Sequence, residues 1–152
     1  MEEVLPVYEL KRLVENLKIQ NISFVHIDSF PNFVPCRGQH IIAYNNYHYV
    51  LFLSLQHYHV LFNPLGSQDQ SSLPFMNWAH FPVIHWKHIA VQRAHSQTCG
   101  YWVYLFLVYL LRNISEAIVN MQDIYCTFYM LLKIPDYNVV YHVSNYILRD
   151  CK

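Results

Sequence analysis

The run from Tyr101 to Leu111 contains no charged residue and is apolar on every side of a helix. A helix with no polar stripe has no face to turn to water, so it must be enclosed by the rest of the chain. It is also too short to cross a bilayer, which needs about 20 apolar residues. The chain therefore has to build a shell around Cys99 to Arg112. Its 152 residues, 54% hydrophobic and 13% charged, are enough for one domain spanning 1–152 with a real core.

The shell can be read in order. Leu10, Leu13, Val14 and Leu17 lie at i, i+3, i+4 and i+7, which predicts an amphipathic helix over Pro6 to Lys18. Asn21 to Asp28 is short and strand-like, and Ser29 to Gly38 is a loop with Pro31, Pro35 and Gly38. Gln39 to Tyr44, His48 to Leu55 and Tyr58 to Phe62 read as strands of an antiparallel meander, turning at Asn45-Asn46 and Gln56-His57. Asn63 to Pro74 is turn-rich, and Val83 to Val91 supplies one or two further short strands. Ser115 is placed to cap a helix reaching Leu132, Pro135-Asp136 breaks the chain, and Val139 to Arg149 closes it as a helix. The expected class is α+β: an antiparallel or mixed central sheet with helices on either side.

Lys+Arg and Asp+Glu both number 10, and Lys11-Arg12 is the longest basic run, so general attraction to nucleic acid is not expected. Cys36, Cys99, Cys126 and Cys151 include no C-x-x-C pair, which disfavours a zinc ribbon. Met1-Glu2-Glu3-Val4 is acidic and lacks a signal-peptide pattern. The expectation is an intracellular protein of a reduced compartment, without a membrane span or a cofactor. His57 and His59 share a strand face but have no third ligand at a recognisable spacing, so no metal is expected.

Cys99 opens the central helix, where free N–H groups and the positive end of the helix dipole would favour a thiolate. A cysteine nucleophile needs a base, a group orienting that base, and oxyanion donors. His48 begins one strand and Asn63 ends its neighbour, so a hairpin pairing brings them to the same sheet edge. Asn63 would hold one ring nitrogen and leave the other for Cys99; it is equally the residue a turn before Pro64 demands. Gln92, with the Cys99 N–H, would form the oxyanion hole.

The order His48, Asn63, Gln92, Cys99 resembles that of the adenovirus protease (adenain) family, of the clan that also holds SUMO-specific proteases. Phe30-Pro31-Asn32-Phe33-Val34, Tyr47-His48-Tyr49, Phe62-Asn63-Pro64-Leu65-Gly66 with Asp69-Gln70, and Val91-Gln92 through Cys99-Gly100 carry the resemblance. Glu9-Leu10-Lys11 and Asn145-Tyr146-Ile147-Leu148-Arg149 extend it over most of the chain. Asn63 stands where the family has Glu, and Tyr49 where Trp is usual. The stretch from Asp69 to Val91 is shorter than the family's and lacks its activator-linking cysteine.

The resemblance implies an adenain-like fold and a cysteine endopeptidase that cleaves viral precursor proteins during virion maturation, in the host nucleus and virion. It leaves room for a non-covalent peptide activator adding a strand to the sheet, and DNA stimulation is not expected. Two other readings stay open: a protease for ubiquitin-like modifiers, and a non-catalytic virion or scaffold protein on a decayed protease fold.

Overall fold

The computed structural model describes residues 5–17, 22–27, 40–45, 48–54, 59–66, 83–85, 90–92, 97–112 and 121–150. The loops expected at Ser29 to Gly38 and after Gly66, the turn at Gln56-His57 and the cap at Ser115 lie outside these residues, as do Cys36, His57 and Cys151.

Five strands form one sheet in the order β1 (Ile22–His26), β2 (His40–Tyr44), β3 (Tyr49–Ser54), β4 (His59–Phe62) and β5 (Val83–His85). The expected meander is present: β2–β3 and β3–β4 are antiparallel, with Ile42 opposite Leu51 and Leu51 opposite Phe62. The outer strands differ from an all-antiparallel sheet. β1 runs parallel to β2 and β5 parallel to β4. Parallel neighbours need long connections, and residues 27–39 and 63–82 provide them.

Alternation along the strands sends side chains to two buried layers. Ile42, Tyr49, Leu51, Leu53, Val60 and Phe62 join one, and Ile41, Ala43, Val50, Phe52 and Leu61 the other. A sheet buried on both faces reads as a continuous apolar run, as Val50-Leu51-Phe52-Leu53 does.

The helices are α1 (Val7–Glu15), α2 (Cys99–Arg112), α3 (Met121–Leu132) and α4 (Val139–Asp150), with a short 3-10 turn over Asp136–Asn138. α2 packs on β3 and is surrounded by α1, α3 and α4. Its residues from Trp102 to Leu110 are all buried, as an all-apolar helix requires. Leu10, Leu13 and Val14 of α1 and Ile124, Phe128 and Leu131 of α3 join the same cluster. Among the described residues these four helices share one face of the sheet. The amphipathic pattern of each helix demanded a partner, and α2, itself apolar all round, partners them all. No helix among the described residues is long and apolar enough to cross a membrane.

Candidate active site

Two turns position the predicted residues. Asn45 N–H donates to the His48 carbonyl at 3.0 Å, closing the β2–β3 hairpin and holding His48 at the start of β3. At the far end of β4, Gly66 N–H donates to the Asn63 carbonyl at 2.8 Å. Asn63-Pro64-Leu65-Gly66 follows the residue preferences of a β-turn, with Asn first, Pro second and Gly fourth. Gly66 has φ 92°, which a side chain would resist.

The β3–β4 register places Asn63 opposite Val50 and diagonal to His48. The two side chains meet there: His48 Nε2 and Asn63 Oδ1 are 2.9 Å apart and both residues are buried. Asn63 Oδ1 also accepts from Leu65 N–H at 3.0 Å, so this atom must be the amide oxygen. His48 must then donate from Nε2, and the lone pair of the neutral ring sits on Nδ1. One backbone N–H therefore fixes the amide, and the amide fixes the tautomer. Asn63 is both the turn residue and the residue that orients the histidine.

Gln92 reaches the same turn by its backbone. Val91 and Gln92 both donate N–H to the Pro64 carbonyl at 2.9 Å, which places Gln92 beside the Asn63 turn, and its side chain is buried.

Cys99 comes to the site from the other side. Trp102 N–H donates to the Thr98 carbonyl at 3.1 Å, so Thr98 caps α2 and Cys99 is its first residue. The sulfur faces the backbone N–H groups of Tyr49, Gly100 and Cys99 itself, and so lies beside the residue that follows His48. Close packing explains Gly100: a Cβ there would lie 3.0 Å from Tyr49 Cε2 and 3.2 Å from Leu5 Cβ. The Tyr49 hydroxyl in turn donates to the Leu5 carbonyl, tying the segment before α1 to β3 and the start of α2.

The expectation of a thiolate at the helix start needs correction. Cys99 is 0% exposed, and burial pushes its thiol up to about 11. The three N–H groups lower it, but desolvation outweighs them, and the nearby Asp136 carboxylate opposes ionisation further. The resting site is a neutral thiol.

Thr98 and Asp136 are buried neighbours of Cys99 that sequence reasoning missed. Thr98 Oγ1 and Trp102 Nε1 each donate to Asp136 Oδ1 at 2.6 Å, and all three residues are buried. In the sequence Asp136 stood only as half of a helix-breaking Pro-Asp pair. The one available signal was a lone acid in the mostly apolar stretch from Leu131 to Val140, which also holds Lys133 and Asn138. A cleft of about 360 Å³ opens between Ala90-Val91 and Leu132, Ile134, Pro135, Asp136 and Tyr137. It borders both the segment that leads into Gln92 and the carboxylate that grips Thr98.

Three expected results follow from this geometry. Asn63→Leu strands the N–H groups of Leu65 and His48 in a buried site, at about 1–3 kcal/mol each. Chemical denaturation should show that loss, whereas Asn63→Asp keeps both acceptors and should fold and cleave. A misfolded or inactive Asn63→Asp protein would contradict the orienting role. In the expected oxyanion role for Gln92, Gln92→Ala should lower kcat about a hundredfold with little change in KM, because such a donor acts in the transition state. Steady-state kinetics separates this from a binding defect.

The third concerns pH. A thiol whose folded pKa lies above its unfolded value of about 9 keeps its proton longer in the folded state. That preference stabilises the fold fully below about pH 9 and is lost as pH rises through about 11. The two-unit difference corresponds to about 2–3 kcal/mol. Tyr49, also raised by burial and by its proximity to Cys99 and Tyr44, adds in the same direction above pH 10. Urea midpoints should fall between pH 9 and 11, and less so in Cys99→Ala.

Among the described residues, no group of three or more His, Cys, Asp or Glu side chains is gathered to hold a metal. No protein-family model and no curated protein sequence matches the chain.

Proposed function

We propose that the chain is a cysteine endopeptidase of the adenain type, acting on viral precursor proteins. The observation that carries this reading is the buried His48–Asn63 hydrogen bond with its Nε2–H tautomer. It leaves a basic Nδ1 one residue from the backbone N–H that faces the Cys99 sulfur.

In this mechanism His48 Nδ1 takes the Cys99 proton as the sulfur attacks the scissile carbonyl. A thiol held near 11 favours proton transfer coupled to attack over a standing ion pair. The Asn63 amide oxygen holds the imidazolium by its Nε2–H. The Gln92 amide and the Cys99 N–H receive the oxyanion, and His48 then protonates the leaving amine. Water next hydrolyses the thioester.

The adenain-like form of the fold belongs to the same proposal; what supports it is the mixed α+β layout with Cys99 at the head of a buried helix. A specific observation favours a second reading, the non-catalytic virion or scaffold protein. Cys99 is fully buried and protonated, as a small core residue would be.

Incubation with a peptide library containing small-residue and Gly-Gly-type sites, with and without prior iodoacetamide, separates the readings. The endopeptidase reading expects cleavage that is lost on alkylation of Cys99. Cleavage of ubiquitin-like conjugates alone would assign the modifier-protease reading, and no cleavage the scaffold. Activity is expected without DNA, with at most a non-covalent peptide activator. Activity that requires DNA and falls steeply with salt would contradict this.

A further inference from the structure

We propose that Asp136 is the positioning residue for the Cys99 sulfur, holding the first turn of α2 from both sides of the cysteine. The proposal rests on the reading of Cys99 as a nucleophile. A single oxygen, Asp136 Oδ1, accepts from Thr98 Oγ1 and from Trp102 Nε1, both at 2.6 Å. Thr98 precedes Cys99, and Trp102 follows it by just under one helical turn. Two grips on either side of one residue fix both the rotation of α2 about its axis and its position along it.

The anchor is itself rigid. Pro135 has φ −64°, and Asn138 N–H donates to its carbonyl at 2.9 Å, so Asp136 sits in a closed 3-10 turn. Thr98 is placed to cap α2, where a threonine hydroxyl ordinarily accepts from an N–H of its own first turn. Here the hydroxyl donates outward to Asp136. The helix start is thus held against a distant part of the chain.

A stability role alone does not account for this choice. A buried carboxylate beside a thiol opposes ionisation of that thiol, and apolar packing often serves a buried site as well. The carboxylate does, however, give two charge-assisted bonds, which are short and strongly directional. The titratable groups whose charges reach Cys99 are Asp136 from the 3-10 turn and Tyr49 from β3. Asp136 is the one among them that also grips the helix. Its grip sets where the first turn of the helix stands against the Tyr49 backbone, while burial above all keeps the sulfur a neutral thiol until His48 removes the proton.

The test uses Asp136→Asn and Asp136→Ala in the full chain, with two readouts. The first is the pH dependence of iodoacetamide alkylation at Cys99, followed by mass spectrometry, which needs no peptide substrate. The second is kcat and KM for peptide cleavage. Asp136→Asn keeps an oxygen acceptor and loses the charge, so the alkylation midpoint should move down from about 11 and cleavage should stay within about tenfold of wild type. Asp136→Ala should lose about a hundredfold or more in kcat at nearly constant KM, the effect of a displaced reacting atom. An unmoved midpoint in Asp136→Asn, or an Asp136→Ala enzyme that cleaves like wild type, overturns the proposal. If Asp136→Ala does not fold, the midpoint in Asp136→Asn decides. If the midpoint moves while no protein cleaves peptide, the coupling of Asp136 to Cys99 stands and the endopeptidase reading falls.

Discussion

Cys99→Ala and His48→Ala should each reduce peptide cleavage by a factor of about a thousand or more while leaving the fold in place. In the proposed mechanism the sulfur forms the bond to the substrate, so removing it leaves no nucleophile. The same mechanism needs His48 twice, to take the thiol proton and to return it to the amine. A thiol held near 11 makes the first need acute. At neutral pH nearly all of Cys99 keeps its proton unaided. The two losses should not add, because a base without its nucleophile has nothing to activate. The double variant should therefore be no slower than the worse single one, and matched circular dichroism and urea midpoints should show that folding is kept. Cys99→Ala removes one buried sulfur and also removes the group whose ionisation is opposed at alkaline pH.

Phe106→Ala should lower unfolding stability by about 3–5 kcal/mol, a large share of the roughly 5–15 kcal/mol typical of a domain. Phe106 lies in the middle of α2 and is fully buried. Its ring stacks on Phe62 of β4 with centroids 4.5 Å apart, and Phe62 meets Phe128 of α3 edge to face at 6.4 Å. This aromatic chain joins the sheet, the central helix and the outer helix at one point. Its removal leaves a cavity that α2, packed on several sides, cannot collapse to fill. The residue after Phe62 is Asn63, so loosening this contact should also disturb the His48 orientation. Denaturation midpoint and cleavage rate should both fall, the first by the larger margin in free energy.

Particular elements explain what could be read from the sequence. The bounds of α2 were legible because an uncharged apolar run begins at a cysteine after a polar loop and ends at Arg112. The β2–β3–β4 meander was legible because its connections are short, and short connections force antiparallel neighbours. That antiparallel pairing is also why the meeting of His48 and Asn63 could be anticipated. The direction of β1 and β5 was not legible. Apolar alternation encodes which face a residue takes but not which way its strand runs.

Which face of the sheet α1 to α4 join was hidden for a related reason. Both faces of the sheet are apolar, so the strands do not say which layer each helix joins. Asp136 could not be found because its role depends on contacts with Thr98 and Trp102, far away in the chain. The protonation of Cys99 was misjudged because helix position is a local property, whereas desolvation depends on everything packed around the sulfur.

The central claim is that Cys99 is a nucleophile activated by the His48–Asn63 pair. Its most direct measurement traps the covalent intermediate. Wild type, His48→Ala and Asn63→Asp are incubated with a cleavable peptide bearing a carbonyl electrophile, and the adduct is located by mass spectrometry. The account predicts an adduct on Cys99 in wild type and Asn63→Asp, strongly reduced in His48→Ala, with the exposed Cys126 unmodified by the peptide. An adduct that forms equally on Cys126, that forms on Cys99 regardless of His48, or that does not form at Cys99 would contradict it.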